Sequence, residues 1–249
     1  MRRWPRRRTR TGRPRASAHA AYRALVVALL LGGLLFVVRE GLLPQRWNPL
    51  PPLDLAEPNP WFLDWRLATL RIDADACARL LRSPLIEATQ VADAPITNGC
   101  GWMNGVRLNA AGGARVSVDR ITCETAAGLA LWLAHDVQPR AQEIFGAKVA
   151  SVQHLGSYAC RNIKGDAHGT GMRSEHARAN ALDVAGFTLT SGKQICVARN
   201  WAGDGPEARF LRAVHAGACR TFRVALGPDY NAVHRDHFHY DRGLFASCR

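Results

Sequence analysis

The chain has 249 residues, seven cysteines and a formal charge of +13, a length that suits one domain of moderate size beside a non-globular end. Nine arginines and no acid fall within residues 1–23, and the rest of the chain carries 24 basic against 20 acidic residues. A phosphate-binding face needs its cations on the folded body, so the charge excludes a nucleic-acid partner.

Residues 1–23, broken by Pro5, Gly12 and Pro14, read as an unstructured cytoplasmic tail. Residues 24–38 are uncharged and apolar but short of the ~20 residues a spanning helix needs. Tyr22 and Leu42-Leu43 extend the stretch, with Arg23 and Arg39 snorkelling, which sets a transmembrane signal-anchor at 24–43. The excess of arginine upstream puts the N-terminus in the cytoplasm and the body across the inner membrane, in the periplasm. A cleaved signal peptide is the alternative. It is disfavoured because Arg39-Glu40-Gly41, not a small-residue cleavage site, comes next. Residues 44–60 hold Pro44, Pro49, Pro51, Pro52, Pro58 and Pro60 and read as a stiff, extended linker that would hold the folded body away from the membrane. Trp47, Trp61, Phe62 and Trp65 either touch the membrane interface or, from Trp61 on, begin the core.

The folded body is expected over 61–249. Asp73 caps a short helix through Leu80-Leu81. Gly105–Asn109 and Arg115–Val118 read as a β-hairpin around Ala110–Gly113. Thr122–His135 reads as a helix, and Pro139 opens the next. Val149–His154, Leu182–Leu189 and Gln194–Ala198 read as strands, the last two joined at Ser191-Gly192. Phe210, Val214, Ala218 and Phe222 recur every four residues, a helix over Pro206–Phe222. Gly227-Pro228 turns the chain, and His234–Tyr240 is a last strand. Helices early and strands late make the fold class α+β, an antiparallel sheet with flanking helices.

The cysteines, at 77, 100, 123, 160, 196, 219 and 248, form no CxxC pair, which argues against a zinc finger and for disulfides in an oxidising compartment. The expected pairs are Cys77–Cys100, Cys123–Cys160 and Cys219–Cys248, with Cys196 free, although spacing alone does not determine the connectivity.

The chemistry concentrates in two stretches, Ser174 to Asp183 and His234 to His239. A catalytic zinc takes about three protein ligands and keeps one position open for water. His176 and Asp183 cannot share it from one helix, where seven residues rise about 10.5 Å, so Ala177–Asn180 must fold back. His237 and His239, two apart in a strand, point to one face: one can bind metal while the other serves as acid or base. His135, His154, His168 and His215 read as structural.

At these residues the sequence resembles the LAS metallopeptidases: D-Ala-D-Ala carboxypeptidases, lysostaphin-type enzymes and the hedgehog signalling domain. His234-x-x-His237-x-His239 is similar to the penicillin-insensitive murein endopeptidases. Over roughly 60–249 the chain also resembles the bacterial extensin-like C-terminal domain family, through Gly156–Arg161, His176–Phe187, Leu226–Asp229 and His234–Asp241. The resemblance implies a LAS-like metallopeptidase core. It implies Zn2+ held by His176, Asp183 and His239, His237 as acid/base with His234 in support, and Arg161 stabilising an oxyanion. Two departures stand out: Ala159 and Cys160 interrupt the usual Ser-Gly-Tyr-Arg pattern, and Ala179 replaces a glycine common after the first His. The expected function is a membrane-anchored periplasmic zinc peptidase acting on peptidoglycan stem peptides. The alternatives are a non-catalytic envelope module that keeps the metal site, and a disulfide-stapled structural module without metal.

Overall fold

The computed structural model describes residues 18–39, 42, 44, 47, 52–165, 169 and 171–249. The expectations for the tail before residue 18, for most of the linker between 40 and 51, and for His168 lie outside the described residues. The chain divides into two units, Met1–Leu50 and Pro51–Arg249. In the first, α1 (Ala18–Arg39) starts upstream of the expected span. Its stretch His19–Val38 is long and apolar enough to cross a membrane.

The second unit is α+β. Its packing begins ahead of residue 61, because Leu55 is buried in the core and its carbonyl accepts from His135 Nε2 at 2.8 Å. Next come α2 (Leu63–Thr69) and α3 (Ala74–Leu80), the latter capped as expected by the Asp73 carboxylate, which accepts from Ala76 N. Three strands without a period-2 signal follow: β1 (Ile86–Gln90), β2 (Ala94–Thr97) and β3 (Cys100–Trp102). The expected hairpin is β4 (Gly105–Ala111) and β5 (Ala114–Thr122). Its turn is only Gly112-Gly113, with φ of 54° and 80°, the double left-handed geometry that favours glycine in a two-residue hairpin.

Helix α4 (Cys123–Trp132) runs through a π turn at Leu133–Val137 into α5 (Gln138–Phe145). Pro139 has no N–H for the carbonyl four residues back and its ring crowds that carbonyl, so the helix widens there and does not break. The chain continues through β6 (Val149–Gly156), β7 (Ala181–Leu189), β8 (Gln194–Cys196), α6 (Val197–Asn200), α7 (Pro206–Ala218), β9 (Val224–Leu226), β10 (Phe238–Asp241) and β11 (Ser247–Cys248). The last expected strand is thus shorter than His234–Tyr240. Asn231 is the reason: its side-chain oxygen accepts from Val233 N and His234 N and winds Ala232–His234 into a 3-10 turn.

One sheet runs β1-β4-β5-β6-β7-β10-β9-β11, with β8 beside β7. It is antiparallel except where β6 meets β5 and β11 meets β9. Buried Leu182, Val184 and Phe187 of β7 and Phe238 and Tyr240 of β10 join Trp132, Phe210 and Phe222 in the core. Trp132 lies at the centre, its ring 5.1 Å from Tyr240 and its indole N–H donating to Val214 O at 2.8 Å.

The disulfides correct two expected pairs. Cys77 joins Cys123, Cys100 joins Cys160, Cys219 joins Cys248 as expected, and Cys196 is free. Cys77 and Cys100 do not meet because α3 packs its buried Cys77 against α4, whose first residue is Cys123. Hairpin β2–β3 instead turns towards the chain after β6, where Trp102 meets Tyr158 edge to face at 4.9 Å. That leaves Cys100 beside Cys160.

Candidate metal centre

The pleat of β10 separates two tasks. Phe238 and Tyr240 enter the core; His239 and Asp241 point to the other face, as alternate residues must. In the antiparallel register His239 lies directly opposite Asp183 on β7. His176 arrives from outside the sheet, on the 3-10 turn Glu175–Arg178. Ser174 caps that turn, and Ala179 closes it in the left-handed region with φ of 53°. Glycine reaches this conformation freely, whereas it costs an alanine about 1–2 kcal/mol. Asn180 pins the turn to the start of α4. Its Oδ1 accepts from Thr122 Oγ1 and Thr125 Oγ1 at 2.9 and 2.8 Å, and its Nδ2 donates to Glu175 Oε2 at 2.8 Å.

The fold-back brings three buried donors together. His176 Nε2 is 3.1 Å from both Asp183 Oδ1 and His239 Nδ1, and His239 Nδ1 is 2.9 Å from Asp183 Oδ1. Their neighbours set the tautomers. His176 Nδ1 lies 2.6 Å from the Ser157 carbonyl, which can only accept, so this nitrogen carries the hydrogen. His239 Nε2 donates to Asp241 Oδ2 at 2.9 Å. In the neutral rings Nε2 of His176 and Nδ1 of His239 are then bare lone pairs, facing each other and a carboxylate oxygen. A cation among them, whether a proton on one of the rings or a metal ion, relieves the repulsion between three acceptors at this range. Tetrahedral donors about 2.0–2.1 Å from a zinc ion stand about 3.3 Å apart, close to the observed separations, and two imidazoles with one carboxylate suit zinc, as they suit iron, copper or nickel.

The charges agree. Burial alone would raise the Asp183 pKa, but hydrogen bonds and charge from His176 and His239 hold it far below the usual carboxylate range. Burial alone would lower that of His239, but Asp183 and Asp241 carry it up to about 9. Protonated imidazoles and a bound metal ion would satisfy these carboxylates alike.

Three further expected residues are gathered around this core. His237 precedes β10 instead of lying in it, yet its Nε2 is 3.8 Å from Asp183 Oδ1. Its Nδ1 donates to Asp236 Oδ1 at 2.8 Å, which leaves Nε2 free to accept a proton. His234 is buried, with its ring centre 5.4 Å from that of His237 and 5.8 Å from that of His239. Its Nδ1 donates to Asn231 Oδ1 at 2.7 Å, and burial, then the nearby His239 and His237, push its pKa down to about 4. Arg161 stands at the rim, one-third exposed, with Nη2 3.9 Å from Asp183 Oδ2. Ser157, Asp236, Asp241 and Asn231 were not foreseen. Asp241 alone left a signal, its place two residues after His239 on the same strand face.

His135, His154 and His215 make other bonds, to the carbonyls of Leu55, Ser117 and Arg249. The family described as extensin-like protein C-terminus matches residues 75–249, which include every residue of the site. Comparison with curated proteins and with solved structures found no match.

Proposed function

Because the chain belongs to the extensin-like protein C-terminus family, whose matched region spans the whole cluster, we propose that this region is a zinc-dependent hydrolase of peptide bonds. We place it outside the cytoplasm, held to the inner membrane by α1, with peptidoglycan stem peptides as substrate. The carrying observation is the convergence of three lone-pair atoms on one point, with His237 and Arg161 beside it. The LAS-like peptidase core belongs to this same reading.

His176, Asp183 and His239 hold the ion, which when bound supplies a positive charge that polarises water and carbonyl alike. His237 takes the proton of the attacking water at Nε2 and returns it to the departing amine. Asp236 keeps the ring in the tautomer this requires. His234, held neutral, adds no competing charge. The guanidinium of Arg161 faces the negative charge that grows on the carbonyl oxygen.

The test measures metal content and muropeptide cleavage by the purified full chain. We expect about one zinc per chain, lost in Asp183→Ala, and cleavage of a cross-linked or pentapeptide muropeptide. His237→Ala should keep its zinc and turn over about 10²–10⁴-fold more slowly. Zinc without cleavage of any muropeptide would replace the peptidase with the non-catalytic envelope module. A folded chain without zinc would retire both in favour of the disulfide-stapled module.

A further inference from the structure

A helix on the surface of a globular body should turn polar residues outward. Helix α2 does not. It buries Leu67 inward, yet Trp65 is half exposed on its outer side and Trp61 and Phe62 are half exposed just before it. Phe62 adopts the left-handed region, φ 55°, a rare conformation for a bulky residue. Asp64 ties this corner to the chain after β10. It accepts from Arg242 and Arg223 at 2.6 Å each, and Arg223 also donates to the Leu244 carbonyl at 3.1 Å. Leu244 and Phe245 are 75% and 67% exposed, and Ile72, which lines a groove with Leu244, is 86% exposed. Six large apolar side chains thus share one corner and contribute little to the core. Such a patch marks an interaction surface.

The chain itself indicates the partner. Pro52, the first continuously described residue of the body, gives its carbonyl to Arg66 of α2 at 3.4 Å, so the backbone enters the body at this corner. Residues 40–51 separate Pro52 from the end of α1, and twelve extended residues reach at most about 43 Å. The groove between Ile72 and Leu244 is also lined by Arg178, exposed and without an ion pair among the described residues, and by the carboxylates Asp93 and Glu175. Exposed aromatic rings suit the headgroup layer of a bilayer.

We propose that this corner rests in the headgroup–acyl boundary of the membrane, an inference that stands on the reading of α1 as a membrane span. The test uses the full chain in vesicles of phosphatidylcholine and phosphatidylglycerol with brominated acyl chains, which quench tryptophan emission. Helix α1 has no tryptophan, and Trp4 and Trp47, which flank it, are common to every variant, so the difference between variants is what is read. We expect the quenched share of emission to fall at least twofold in a Trp61→Ser/Trp65→Ser variant. It should also fall in Leu244→Ser/Phe245→Ser, which keeps every tryptophan and guards against a folding defect in the first. If the two rings stood in water, removing them would raise the quenched share. A rise there, or no change in the second variant, with the chain still floating with the vesicles, overturns the docking and leaves the anchor standing. A chain that fails to float with vesicles overturns both.

Discussion

At the scale of single residues, the site is defined by which nitrogens carry hydrogen. Asp241 Oδ2 accepts from His239 Nε2 while its Oδ1 accepts from Gly243 N at 2.9 Å, so the carboxylate is held at both oxygens. A carboxylate behind a ligating imidazole fixes the tautomer and makes the ring a stronger donor. Asp241→Asn keeps the shape and removes the charge. We expect zinc affinity to fall about 10–100-fold, measured by competition with a chromophoric chelator, with little change in the unfolding midpoint. Unchanged affinity would reduce Asp241 to a backbone clamp for Gly243.

At the scale of elements, two short pieces outside the sheet, the turn at His176 and the segment at His237, are held by buried polar bonds. Helix α4 fixes the first through Asn180 and also anchors Glu124, fully buried in its first turn. Glu124 accepts from Arg71 Nε at 2.8 Å and from buried Arg242 Nε at 3.0 Å. Removing one partner of a buried pair strands the other charge, so Glu124→Ala is expected to cost about 3–5 kcal/mol in urea unfolding. A loss under about 1 kcal/mol would mean that Asp64 alone neutralises Arg242. The cluster of His176, Asp183 and His239 was legible in the sequence because two lie seven residues apart and the third sits in a compact His-x-His. The hairpin β4–β5, the cap at Asp73 and most of α7 were legible too, since local periodicity and turn chemistry set them. The pairing of β7 with β10, the strands β1 to β3 and the partners of Cys77 and Cys100 were not. Contacts far along the chain decide them, and β1 exposes most of its length with no alternation to announce it.

At the scale of the whole body, the C-terminal strand closes the sheet edge and is stapled twice, by Cys219–Cys248 and by His215. The His215 Nε2 donates to the Arg249 carbonyl at 3.1 Å, its Nδ1 accepts from the Tyr240 hydroxyl at 3.3 Å, and its ring stacks on Phe238 at 4.8 Å. Burial lowers its pKa, against the opposing bond to Arg249 and the charge of Asp229. The folded chain therefore resists a proton that the unfolded chain accepts near its ordinary value of about 6.5. Above that pH the group leaves stability flat; below it, stability falls as pH falls. We expect the urea midpoint to drop between pH 7.5 and 5.5, and His215→Phe to flatten part of that slope. An identical slope in the variant would assign the acid sensitivity to other groups.

The alternation along β10 has an evolutionary consequence. His239 and Asp241 can be exchanged one at a time while Phe238 and Tyr240 go on filling the core, so a descendant can shed the chemistry and inherit the fold intact. Deleting one residue inside the strand does the reverse. It turns the histidine towards Trp132 and the aromatic rings towards His176 and Asp183, so both are lost at once. Lineages should therefore tolerate substitutions on the site face of this strand and purge changes in its length.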